Sequence, residues 1–180
     1  MIAADASTSL QVAVREYFSG EQSEMIFILA GSLLFGSLAA WLWLSTRSGF
    51  TTAFMVTVLA SAVLLSSTAA SLLVRDAQLS RSLEKGIGSS QHSVVVSGER
   101  ARIESVVSKY RYYRIGAAAF AAVSLLGLLL THRSWVHGAA AGLLLLVVAQ
   151  VLIDHFSEHR ARLYLTHLSA GPILDPTRTD

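Results

Sequence analysis

The sequence predicts an all-α protein: an antiparallel four-helix transmembrane bundle with short cytoplasmic helical extensions. Three observations carry this. First, of 180 residues 53% are hydrophobic and 14% charged, with a mean hydropathy of +0.53, too little charge for the surface of a soluble domain this size. Second, formal charge is absent from residues 25–46, 48–74, 115–132 and 134–153, stretches of 22, 27, 18 and 20 residues. A hydrocarbon core ~30 Å thick takes about 20 helical residues at ~1.5 Å each, so each stretch is one crossing. Third, twelve of the 14 Lys and Arg lie with the two terminal segments and the 75–114 connection, and only Arg47 and Arg133 lie in the short connections. The positive-inside rule then places both termini in the cytoplasm.

Residues 1–24 form a cytoplasmic segment in which Leu10, Val14, Tyr17 and Phe18 share one helical face. An interfacial amphipathic helix over residues 7–19, stopped by Gly20, is expected there. Asp5, Glu16, Glu21 and Glu24 against a single Arg15 are unlike the basic start of a cleavable signal, so the first span is expected to stay in the mature protein. The first transmembrane hairpin covers 25–74, with its first span at 25–44 and a tight turn at 45–49. The second span starts near Phe50, outlasts the membrane and continues through Asp76, Leu79 and Leu83 until Gly86 and Gly88 stop it.

Residues 86–97, rich in Gly and Ser, read as a loop. From Glu99 on, Ile103, Val106, Val107 and Tyr110 recur at helical spacing with no breaker before the third span, so one helix over 99–131 is expected. Paired with the end of the second span it makes a cytoplasmic helical hairpin within 75–114. The second transmembrane hairpin covers 115–156. Its last helix begins near Trp135, passes Asp154 and ends at Gly171 and Pro172, so that 157–180 is a helical extension with a loose tail. Trp41, Trp43 and Trp135 mark the outer ends of the spans, and Tyr17, Tyr110, Tyr112, Tyr113 and Tyr164 the inner ends, where amphipathic rings prefer to sit.

Small residues at i, i+4 spacing recur in the spans: Gly138 with Gly142, Ala117 with Ala121, and Ser67 with Ser71. In lipid, helices associate through close backbone approach at small residues. Packing inside one bundle is the preferred reading of these pairs; a homodimer through the fourth span is the alternative. His155, Glu158 and His159 spell HxxEH, in which two His one turn apart could share a zinc beside a Glu base. Only 21 residues follow His159, too few for the further carboxylate ligand such a protease draws from a later helix, so no metal site and no cofactor are expected. The spans hold no formal charge at mid-membrane depth, which argues against an ion pathway. Cys is absent, which excludes disulfides and thiolate metal sites, and neither a phosphate loop nor a GxSxG nucleophile is present. The pI of about 9.2 comes from juxtamembrane basic residues interleaved with Glu, so the bilayer is the expected partner and nucleic acid is not.

Three motifs carry a resemblance: YFSGE at Tyr17 to Glu21; ERARIESV from Glu99, with Glu99, Arg102, Glu104 and Val106; and DHFSEHRARLY from Asp154, with Asp154, Glu158, Arg160, Ala161 and Tyr164. Over about Tyr17 to Leu168 the chain resembles a set of small, functionally uncharacterised four-span bacterial inner-membrane proteins. The resemblance implies the architecture and a bacterial inner-membrane location, and no mechanism. The two His of HxxEH do not belong to its pattern.

The motif residues gather at the cytoplasmic boundary. There Arg75, Glu99, Arg102, Glu104, Asp154, Glu158 and Arg160 are expected to form a charge network tying the hairpin to the fourth helix, structural or serving to dock a partner. The functional expectation is a non-enzymatic membrane protein acting by protein–protein binding, with immunity against a membrane-active toxin as its specific form. A sensor or accessory subunit docking a cytoplasmic protein, and a metal-binding protein using HxxEH, are the alternatives.

Overall fold

The computed structural model describes residues 2–87 and 92–170. These form four helices: α1 (Ile2–Thr46), α2 (Gly49–Ile87), α3 (His92–Leu130) and α4 (Ser134–Ala170). All four are long and apolar enough to cross a membrane, which makes this a multi-pass membrane protein of the expected all-α class. At ~1.5 Å per residue, helices of 37 to 45 residues are about 55–68 Å long, roughly twice a hydrocarbon core. Each helix therefore has an apolar half for lipid and a charged half that projects beyond it.

The projecting halves depart from the sequence reading in two places. First, α1 continues through Gly20, so residues 7–19 are not a separate interfacial helix. An interior glycine costs about 1 kcal/mol of helix propensity, and burying Ala13, Val14, Tyr17 and Phe18 against the other helices outweighs that. Second, α3 begins at His92 rather than Glu99, absorbing Ser97 and Gly98. Val95 and Val96 pack on the core of the charged end, and Val95 methyls lie 2.9 and 3.1 Å from where a Cβ on Gly86 would stand, so Gly86, one residue before α2 ends at Ile87, also serves close approach of α2 and α3. Gly88, Gly171, Pro172 and the tail lie outside the described residues.

The turn between α1 and α2 is Arg47 and Ser48. Arg47 adopts a left-handed φ of 42° and donates its N–H to the Trp43 carbonyl at 2.9 Å, an αL helix stop. Ser48 then caps α2: its Oγ accepts the Thr51 N–H at 3.2 Å while Thr51 Oγ1 accepts the Ser48 N–H at 3.0 Å, a reciprocal capping box.

Packing runs in the order α1, α2, α4, α3; α1 meets α4 over a shorter length and α2 barely meets α3. In the apolar half the inward residues are small (Ala39, Val58, Ala69, Ala117, Ser124, Ala140) while Leu33, Leu129 and Leu130 face outward, more than 70% exposed. Small inside and large apolar outside is the inversion a lipid solvent imposes. Gly138 and Gly142 lie against α2: a Cβ on Gly138 would stand 2.1 Å from the Phe50 carbonyl oxygen, and one on Gly142 2.9 Å from Thr57 Cβ. The GxxxG face is thus occupied inside the bundle, as the preferred reading of the small pairs has it. Ala117 is buried and Ala121 half-buried, but Ser67 and Ser71 are exposed. The Ser67 hydroxyl bonds back to carbonyls of its own helix, so on α2 the packing contact passes to Ala69 instead.

Candidate functional site

Two features set this bundle apart: a buried polar layer at its charged end, and a cleft beside it in the apolar half. All four helices feed the layer. On α1, Tyr17, Glu21 and Glu24 fall at i, i+4 and i+7, one face of one helix. That face meets Asp76 of α2, Arg102 and Tyr110 of α3, and Ser157, Arg160 and Tyr164 of α4, while Glu99 lies against Tyr164 and Asp154 near Tyr110. Tyr17 stacks on Tyr164, which brings the first and last helices together.

Glu24 is the link from α1 to α4. Its Oε1 accepts the Ser157 hydroxyl at 2.6 Å and its Oε2 pairs with the Arg160 guanidinium. The Arg160 stem crosses α1 at Gly20, where a Cβ would stand 2.8 Å from Cδ. On α3, Glu99, 5% exposed, takes a two-pronged bond from Arg102, 2.7 Å to each oxygen, and the Arg102 guanidinium sits 6.0 Å from the Phe18 ring centre on α1. Asp76, 2% exposed, accepts Arg75 on Oδ1 at 3.1 and 3.2 Å, and Asp154, 7% exposed, accepts Gln150 Nε2 on Oδ1 at 2.8 Å.

Electrostatics in the layer follow from burial. Burial pushes the Glu21 carboxyl above its ordinary value, and the neighbouring Asp76 charge adds to this, while a hydrogen bond from Tyr17 and the Arg160 charge oppose it. Burial likewise pushes the Tyr110 hydroxyl up to about 12, with the Glu21 charge adding to the rise.

The seven charged residues singled out from the sequence share this end but form no single network. Glu99 pairs with Arg102 within α3. Glu158 takes Arg162 of its own helix at 2.6 Å and Arg114 of α3 at 3.4 Å, and the latter contact, with that of Glu99 to Tyr164, ties the hairpin to α4. Arg75 turns to its neighbour Asp76, and Glu104 pairs with Arg100 on the exposed face at 3.0 Å. Arg160 joins α4 to α1 instead of to the hairpin. Glu24 and Asp76, and Glu21 of the YFSGE motif, none of them among the seven, supply more of the layer than Arg75 or Glu104 do; the signal is the shared face of Tyr17, Glu21 and Glu24. His155 and His159 are exposed, and among the described residues no three His, Cys, Asp or Glu side chains converge on a metal position.

Below the layer α1 and α4 part, and α2 floors the gap. The resulting cleft has a volume of about 520 Å³ and is lined in its apolar part by Phe27, Val58, Ala62, Leu146 and Ile153; Gly31 and Gly142 widen it, and Glu24 and Arg160 close its charged end. That volume is within the range of small-ligand pockets, roughly 300–1,000 Å³. Comparison with known proteins gives no identification: no family model, curated protein or solved structure matches this chain.

Proposed function

We propose that this chain is a non-enzymatic protein of the bacterial inner membrane, with both termini in the cytoplasm, that acts by binding an apolar helix of a membrane-embedded partner in the cleft between α1 and α4. The cleft is the observation that carries this reading. A four-helix chain could have closed its apolar half completely, and here two helices joined at one end stand apart at the other. Gly31, Ser61, Ala62 and Ala149 along the walls permit the close backbone approach by which helices associate in lipid. Immunity against a membrane-active toxin is the specific form: a toxin helix held in the cleft cannot assemble into a pore. Gly138 is filled by α2, whereas Gly142, packed on Thr57, also borders the cleft. The orientation is supported by the division of Lys and Arg, twelve to two between the sides.

The test is to fill the cleft. Ala62→Trp and Ala149→Trp should abolish partner capture and protection while the protein still inserts at the wild-type level. Variants that bind and protect as well as wild type would refute the cleft, and cells that survive the toxin without this protein would refute immunity.

A further inference from the structure

Among the described residues, the buried or half-buried acids at the charged end are Glu21, Glu24, Asp76, Glu99, Asp154 and Glu158, the last of which takes Arg114 and Arg162. Arg160 is taken by Glu24, and Arg102 by Glu99. Asp76 receives Arg75, a side chain 59% exposed, on Oδ1 alone; its Oδ2 is buried without a donor. From α1 the Glu21 carboxyl comes within hydrogen-bonding reach of Asp76 and of the Tyr17 hydroxyl. Two ionised carboxylates cannot sit together away from water, since their repulsion adds to the cost of desolvating each.

We propose that Glu21 and Asp76 form a proton-binding site, in which one proton held between the two carboxyl groups joins α1 to α2 and makes the seating of α1 responsive to pH. With the proton on Glu21, its hydroxyl donates to the Asp76 oxygen that otherwise has no donor. Every helix presents a charged or titratable group to this pair: Tyr17 from α1, Arg75 from α2, Tyr110 and Arg102 from α3, and Arg160 from α4. Tyr17 and Arg160 favour the ionised Glu21, whereas burial and the Asp76 charge favour the protonated form and prevail.

The sign follows from linkage. Glu21 holds its proton more tightly folded than unfolded, so this contribution to stability is full below the ordinary carboxylate range and is lost as pH rises toward the folded value. Glutamine at position 21 keeps a donor at every pH and should remove the dependence. The site is independent of the proposed cleft partner.

The experiment is difference infrared spectroscopy on the full chain in lipid nanodiscs just above the ordinary carboxylate range of pH, read at the carbonyl stretch of a protonated carboxylic acid. Wild type should show this band. Glu21→Gln should remove it, and should flatten the rise in melting temperature that wild type shows on mild acidification. Asp76→Asn, which takes away the neighbouring charge, should weaken the band at the same pH and serves if Glu21→Gln does not accumulate. A wild type without the band, a band that persists in Glu21→Gln but vanishes in Asp154→Asn, or a band abolished by exchanging choline for sodium at fixed pH would each overturn the proposal, the last because the pair would then hold a metal cation.

Discussion

Tyr17 and Tyr164 lie face to face, ring centres 4.5 Å apart and planes 15° from parallel, and this stack joins the first and last helices of the chain beside the contacts of Glu24. Both rings are buried, and Tyr17 also meets Phe18 edge-on at 5.2 Å. Replacing either tyrosine by alanine removes a large buried side chain at a three-helix junction, with an expected loss of about 3 kcal/mol, of which roughly 1 is the ring pairing itself. Tyr164→Phe keeps the ring and should stay within about 1 kcal/mol of wild type. Thermal unfolding in a fixed detergent compares the three.

Two glycines should respond in opposite ways. Gly138→Ala would put a methyl group 2.1 Å from the Phe50 carbonyl oxygen, and a backbone atom cannot turn aside as a side chain can. The α2 and α4 helices must separate, and a loss of about 2–3 kcal/mol is expected, as for overpacked cores. Gly31 has nothing within 4 Å of its Cβ position, so Gly31→Ala should be neutral or gain up to about 1 kcal/mol from helix propensity. Equal melting temperatures for the two variants would contradict the packing described here.

Much of this architecture is legible in the sequence because lipid enforces it. Charge-free stretches of one bilayer length permit only helices, and the breaks at Arg47 and Arg133 set the turns. What misleads is punctuation. Gly20 reads as a stop, and the Ser97 and Gly98 region as lying before the third helix, yet these residues are inside helices, because burial on the charged end is worth more than about 1 kcal/mol per glycine. Charge pairing was legible only in part. Arg102 and Glu99, three residues apart on one helix, can be paired by counting, whereas Glu24 meets Ser157 across 133 residues and nothing in the sequence says that α1 lies beside α4 there. The cleft was hidden for the same reason, since it depends on how far two helices diverge and not on what either contains.

The Glu24 and Arg160 pair is expected to be strongly non-additive. Their side chains are 10% and 26% exposed, so deleting either leaves a mostly buried charge without its counterion, at a cost of about 3 kcal/mol or more. Replacing both, Glu24→Gln with Arg160→Met, removes the orphaned charge along with the pair, and the double variant should be less destabilised than the sum of the singles by more than about 1 kcal/mol. Additive losses in this double-mutant cycle would mean that the two charges do not interact.

At the turn of Arg47 and Ser48 capping, backbone strain and a ring contact act together. Ser48→Ala removes the acceptor for the Thr51 N–H, and Thr51→Ala the acceptor for the Ser48 N–H, each worth about 1 kcal/mol as a helix cap. Thr51 is 4% exposed, so little water can replace the lost bond, and the double substitution should cost less than the sum because the two bonds form one reciprocal unit. Arg47→Gly relieves a left-handed conformation, a gain of about 1 kcal/mol, but forfeits the guanidinium held 5.8 Å from the Trp43 ring centre, a loss of roughly 0.5–1 kcal/mol at an exposed site. The two nearly cancel, so this variant should be close to neutral. Arg47→Val has no such compensation: a β-branched residue at a φ of 42° is strained and the ring contact is gone, so it should be the least stable of the turn variants, by about 2 kcal/mol relative to Arg47→Gly. Melting temperatures that fail to separate Val from Gly at this position would show that Arg47 does not hold the left-handed conformation.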